Sequence, residues 1–149
     1  GGTVNYSGTM SIGTLSVTGG SFVMGGNTVA VTGNFSTSGT GTLSMTTAAD
    51  SLDINGTATF SGGASTLSAG RIRLAGDFIQ NTGATAFAAS GTHRVVLDGA
   101  VAQNISFANP TTSFFRRLEI PSTATRNIVL QTNALKRGCD LISRQTSKA

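Results

Sequence analysis

Apolar residues in this chain come in pairs separated by one residue: Leu15/Val17, Phe22/Met24, Val29/Val31, Leu43/Met45, Leu52/Ile54 and Ile72/Leu74. Alternation with period two puts one set of side chains on one face of an extended strand, so each pair predicts a short half-buried strand. The pairs return about every seven residues, and a closer likeness returns about every fourteen. Thr14-Leu15-Ser16-Val17, Thr28-Val29-Ala30-Val31 and Thr42-Leu43-Ser44-Met45 carry that longer likeness. Between the strands stand Thr18-Gly19-Gly20, Gly25-Gly26-Asn27, Thr32-Gly33-Asn34, Asn55-Gly56 and Ser61-Gly62-Gly63. Their glycines predict corners built on positive φ. No apolar i, i+3, i+4 stripe accompanies them, and the density of Gly, Thr and Val disfavours helix.

Two architectures use this grammar. An antiparallel meander would place Asn-Gly and Gly-Asn in hairpin turns. A parallel solenoid would make the same glycines corners and stack each strand on its equivalent in the next coil. Only the solenoid requires its segments to resemble one another, and a fixed period is the mark of a repeat fold. The fold class expected is therefore all-β, a parallel β-helix (β-solenoid) with short strands and Gly/Asn-rich corners. Two sides per coil would give about fourteen residues per turn and three sides about twenty-one.

From Arg71 the segments lengthen. Arg71–Leu74, Asp77–Gln80, His93–Leu97, Gln103–Phe107, Phe115–Ile120 and Asn127–Leu130 read as strands, with Pro121 closing the fifth. The organisation expected is one β-solenoid domain over residues 1–134, with regular low-charge coils over 1–70 and basic, less regular coils over 71–134. Residues 135–149 read as a C-terminal tail or cap: they are basic, contain Cys139, and carry Leu141 and Ile142 without alternation.

The 149 residues suit one core, which at this size buries about two thirds of the unfolded surface. Charged residues make up 11% of the chain, less than half of the usual share of about 25%. All ten Lys and Arg of this +4 chain lie at or after Arg71, and before it the only charges are Asp50 and Asp53. Arg71, Arg73, Arg94, Arg116 and Arg117 are thereby candidate contacts to an anionic surface or glycan. Cys139 is alone, so no intramolecular disulfide forms. No apolar run approaches the roughly 20 residues that cross a bilayer, and no transmembrane segment is expected. The opening Gly1-Gly2-Thr3-Val4-Asn5-Tyr6 already has strand-like register and no signal-peptide pattern, as in a processed chain or a piece of something longer.

Catalytic and metal constellations are thin. A Cys139–His93 nucleophile lacks an orienting third group, and the two read as an inert thiol and a surface imidazole. One His and one Cys give no zinc pattern. Asp50, Asp53 and Asn55 stand within six residues as a weak calcium candidate. Arg71, Arg73, Asp77, Arg94 and Asp98 are the one set a polysaccharide lyase could use, and they read more simply as ion pairs. Trp is absent and Tyr6 is the only tyrosine, so aromatic sugar platforms are lacking. Phe114-Phe115-Arg116-Arg117 has the residue types of a nucleic-acid contact in miniature. One Phe there reads as core and the arginines as surface, so no nucleic acid is expected. Thr40/Thr42, Thr57/Thr59 and Thr123/Thr125 do not share the single period an ice-binding face requires. Sequons at Asn5, Asn34, Asn55 and Asn104 are what a chain so rich in Ser and Thr carries by chance. No enzyme activity and no cofactor is expected.

The stretch Ala89-Ser90-Gly91-Thr92-His93-Arg94-Val95-Val96-Leu97-Asp98-Gly99, then Ala102–Phe107, then Phe114-Phe115-Arg116-Arg117-Leu118-Glu119-Ile120, resembles a unit of large exported bacterial surface proteins of the adhesin and haemagglutinin-like β-solenoid type. Arg116 and Arg117 depart from the small polar pair of that unit. The resemblance implies a bacterial extracellular or cell-surface location and a passive role, and it carries over no catalytic residue. The expectation is a structural subunit of a self-assembling filament, sheath or matrix, joined end to end as a homo-oligomer. Val4, Tyr6, Met10 and Ile12 mark the stacking end, where no Lys, Glu or Pro blocks strand pairing. The alternative is an adhesin-type module for a glycan or anionic surface.

Overall fold

A computed structural model describes residues 7–121, 127–131 and 139–143. These form sixteen strands in three parallel sheets. Sheet A contains β1 (Thr9–Ile12), β4 (Thr28–Val31), β7 (Ser51–Ile54), β10 (Arg71–Leu74), β12 (Arg94–Leu97), β14 (Arg117–Ile120) and β16 (Asp140–Ser143). Sheet B contains β2 (Leu15–Val17), β5 (Phe35–Thr37), β8 (Ala58–Phe60), β11 (Phe78–Gln80), β13 (Gln103–Phe107) and β15 (Ile128–Leu130). Sheet C contains β3 (Ser21–Val23), β6 (Thr42–Met45) and β9 (Thr66–Leu67), and the bridges Leu67–Ala89 and Ala88–Phe114 extend it. The chain first visits A, B and C in turn and pairs each strand with its equivalent one coil on, which is a three-sided β-solenoid.

Coil length follows from the register. Thr9 lies beside Thr28, Thr28 beside Ser51, Ser51 beside Arg71 and Arg71 beside Arg94, steps of 19, 23, 20 and 23 residues. Arg117 lies beside Asp140, a further step of 23. The fourteen-residue likeness therefore does not stack: Leu15 is in sheet B, Val29 in sheet A and Leu43 in sheet C. It marks the same place within a side, because every side solves the same local problem of one face in and one face out. The residues that do stack, Met10, Val29, Leu52 and Ile72, share only their apolar character. Asp140–Ser143, in the stretch read as a tail or cap, pairs with β14 as a further rung of sheet A.

Apolar pairs from all three sides meet along one axis, and from Val29 to Phe115 the large ones are essentially inaccessible. Sheet B shows how the volumes fit. Phe35 and Phe78 flank Ala58 in one inward column, while Phe60 stands between Thr37 and Gln80 in the other. Large residues in one column thus face small or polar ones in the next, and Phe35, Phe60, Phe78 and Phe107 zigzag with centroids 5.4, 5.6 and 5.0 Å apart. Phe87 and Phe115 pack edge-on against Phe78 from the third side.

Corners depart from the positive-φ expectation at an informative place. Gly33, Gly56 and Gly76 lie one above another over Gly13, and none has positive φ. A Cβ on Gly33 would come within 2.7 Å of the Gly13 carbonyl oxygen, and one on Gly56 within 2.6 Å of the Gly33 carbonyl oxygen. Glycine is required here for close approach of one coil to the next. Gly20, Gly25 and Gly26, at φ +73, +58 and +86, do meet the original expectation.

Candidate functional site

Outward positions of sheet A form two columns, and the charged residues of the second half sort between them. One column runs Ser51, Arg71, Arg94, Arg117, Asp140 and the other Asp53, Arg73, Val96, Glu119, Ile142. Arg73 is held by carboxylates on both sides: it donates to Asp53 at 3.2 Å and to Asp98 in a close pair. The Asp98 hydrogen bond, and then its charge, raise the Arg73 pKa further.

The neighbouring column is less well matched. The Arg71 Nε donates to Ser51 Oγ at 3.0 Å, and among the described residues no ion pair engages it. Arg94 reaches Glu119 at 3.4 Å, while Arg117 stands 4.0 Å from Asp140, which Arg116 also contacts at 3.3 Å. These side chains are half-exposed, and pairs of this kind contribute at most about 1 kcal/mol each. At the corner leading into sheet A, Arg94 and Arg117 line a cavity of about 220 Å³ with Ala48, Gly70 and Thr92. The five candidate arginines thus fall into a carboxylate-bound Arg73, an in-register set of Arg71, Arg94 and Arg117, and a flanking Arg116.

A second feature lies at the N-terminal end of the described coils. Met10, Ile12, Leu15, Val17 and Phe22 line an open cavity of about 350 Å³. Met10 is half-buried, whereas Val29, Leu52 and Ile72 in its column are fully buried. Of the four residues expected to mark this end, Met10 and Ile12 line the cavity and Val4 and Tyr6 lie outside the described residues.

The remaining candidates do not assemble. Asp50 is buried at the corner before β7, where its carboxylate accepts from Gly26 N, Thr46 N, Thr47 N and the Thr47 hydroxyl at 2.6–3.0 Å. Asp53 is turned outward to Arg73, so the Asp50/Asp53/Asn55 set does not converge. Among the described residues no three His, Cys, Asp or Glu side chains gather as a metal site. Asp77 sits at the corner before β11, bound to Asn104 N at 2.8 Å, apart from the Arg73–Asp98 pair. Burial, and then the Asp140 charge, push the Cys139 thiol up, which makes it a poorer nucleophile. No helix among the described residues is long and apolar enough to cross a membrane.

His93 corrects an expectation. It is not a surface imidazole but is fully buried, with Nδ1 and Nε2 both lacking a hydrogen-bond partner among the described residues and the ring edge-on to Phe87 at 5.8 Å. Alternation gives the reason: Arg94 points out and Val95 in, so the residue before Arg94 is turned toward the core. Burial lowers its pKa to about 4, opposed in part by the Asp50 charge. The arginine column had a sequence signal as well, for Arg71, Arg94 and Arg117 are spaced 23 apart, the coil length of that region.

Comparison with protein-family models, with curated proteins and with solved structures finds no match. The fold and these side-chain arrangements are the ground for a functional reading.

Proposed function

We propose that this chain is a structural, non-enzymatic unit of an extracellular bacterial β-solenoid filament, sheath or matrix, joined end to end. The observation that carries the reading is the apolar cavity that Met10, Ile12, Leu15, Val17 and Phe22 line at the N-terminal end of the described coils. Among the described residues β1 and β2 are the outermost strands of sheets A and B at that end, and β16 and β15 are outermost at the other. Neither β1 nor β2 contains a charge or proline that would block a further strand. The opposite end exposes Leu130 and Leu141, so a second copy would meet apolar surface with apolar surface. Such a contact joins two different faces, continues both ladders in parallel, and builds an open filament rather than a closed ring. The bacterial surface setting rests on the resemblance described above.

Sedimentation and electron microscopy of the purified chain test this. Filaments or a concentration-dependent ladder of oligomers are expected, and Ile12→Asp with Leu15→Asp should abolish them while circular dichroism stays β-type. A chain that remains strictly monomeric at high concentration refutes the reading.

A further inference from the structure

Arg71, Arg94 and Arg117 stand directly beside one another on three successive strands of sheet A. Neighbouring strands are about 4.8 Å apart. That distance is inside the Debye length of about 8 Å at physiological salt, so solvent ions do not hide the repulsion. Like charges placed opposite each other on adjacent strands are destabilising. The adjacent column avoids this problem by setting Arg73 between Asp53 and Asp98. No such interleaving protects Arg71, Arg94 has Glu119 at 3.4 Å on one side, and the Asp140 that stands 4.0 Å from Arg117 is shared with Arg116.

We propose that this column is a binding ladder for an anionic polysaccharide, whose carboxylate or sulfate groups lie between successive guanidinium groups. The rung spacing is close to the length of one sugar residue in an extended chain, so a regularly charged glycan can meet one arginine per residue. Each guanidinium presents a planar fork that fits a carboxylate or sulfate in two-point contact. Gly70, Ala48 and Thr92 complete the lining of the 220 Å³ cavity beside Arg94 and Arg117, and their small side chains leave room for a chain to lie close. Outward positions of sheet A carry Thr, Ser, Ala and Val beside the charges and no aromatic residue, so bases of a nucleic acid would find nothing to stack on. The ladder runs along the flank of the solenoid and does not depend on its ends joining.

Titration of the full chain with polygalacturonate and with heparin, against neutral dextran and an oligo-deoxythymidine, tests the inference. Binding to at least one of the two anionic glycans is expected, weakening steeply with salt, with none to dextran. Arg94→Gln and Arg117→Gln should each weaken it about tenfold or more. The triple variant R71Q/R94Q/R117Q should lose it while keeping its β-type circular dichroism. Arg73→Gln removes the same charge from the neighbouring column and should leave affinity close to that of the unaltered chain. The inference is overturned if neither glycan binds, if the triple variant binds unchanged, or if Arg73→Gln weakens binding as much as Arg94→Gln. Tighter binding of the oligonucleotide than of either glycan also overturns it. A chain that stays monomeric and binds through these arginines refutes the filament alone, and a filament indifferent to both glycans refutes the ladder alone.

Discussion

Asp50, Gln80 and Gln103 are buried polar residues that each serve backbone groups at a corner. Asp50 accepts N–H groups from two coils, and Gln103 bonds Gly99 N, the Leu74 carbonyl and the Gly76 carbonyl. His93 serves none, and its two ring nitrogens are unmatched in an aromatic surrounding. Asp50, its one facing charge, only partly offsets the burial that lowers its pKa to about 4. The unfolded chain takes up a proton on this residue as pH falls below about 6.5, while the folded chain does not until about pH 4. Stability from the neutral imidazole is therefore full above pH 6.5, declines between 6.5 and 4, and is lost below, a change on the order of 3 kcal/mol. Thermal melts across that interval should show the decline. His93→Leu should remove most of it and be neutral or stabilising at pH 7, since an apolar side chain leaves no polar atom unmatched. Equal pH slopes in the two proteins would show that His93 does not carry the effect.

The glycines of the strand-joining corners perform two tasks that their spelling does not separate. Gly56 and Gly13 occupy equivalent corners of different coils, yet a Cβ on Gly56 would strike Gly33 and Asn34 while one on Gly13 meets open space. Gly56→Ala should destabilise by about 1–3 kcal/mol through backbone displacement. Gly13→Ala should be neutral or slightly stabilising, because it only restricts the unfolded chain. Chemical denaturation of the two variants reads this directly, and equal losses would mean that coil-to-coil contact is not what selects glycine at Gly56. Strand positions were legible because alternation is local: Arg71–Leu74, Phe78–Gln80 and Gln103–Phe107 fall within the segments expected. Which strands stack was not legible, because Leu15, Val29 and Leu43 look alike and lie on three different sides.

Across the whole molecule, each coil touches only its neighbours above and below, so stability is a sum over adjacent contacts. Central coils have a neighbour on both sides, whereas β1, β2 and β3 have one among the described residues. Hydrogen exchange should accordingly be slowest at β7, β8, β10 and β11 and fastest at the end strands β1–β3, β15 and β16 when the chain is monomeric. Assembly should slow exchange at both joined ends, at β1 and β2 and at β16 and β15. Uniform protection along the chain would indicate that it unfolds only as a whole.

By itself the sequence determined all-β short strands, one apolar face per strand and a charge division at Arg71, because alternation, turn composition and charge order are local properties of the chain. Tertiary structure alone decided coils of 19 to 27 residues, the burial of His93, the confinement of Arg73 between two carboxylates, and the alignment of Arg71, Arg94 and Arg117. Those depend on register, that is, on which residue lies one coil away, and local alternation does not specify that partner. Steps of 19 to 23 residues along sheet A all keep the outward columns aligned, so corners absorb the difference in length while the inward apolar pairs hold the register; a one-residue slip would turn those pairs outward.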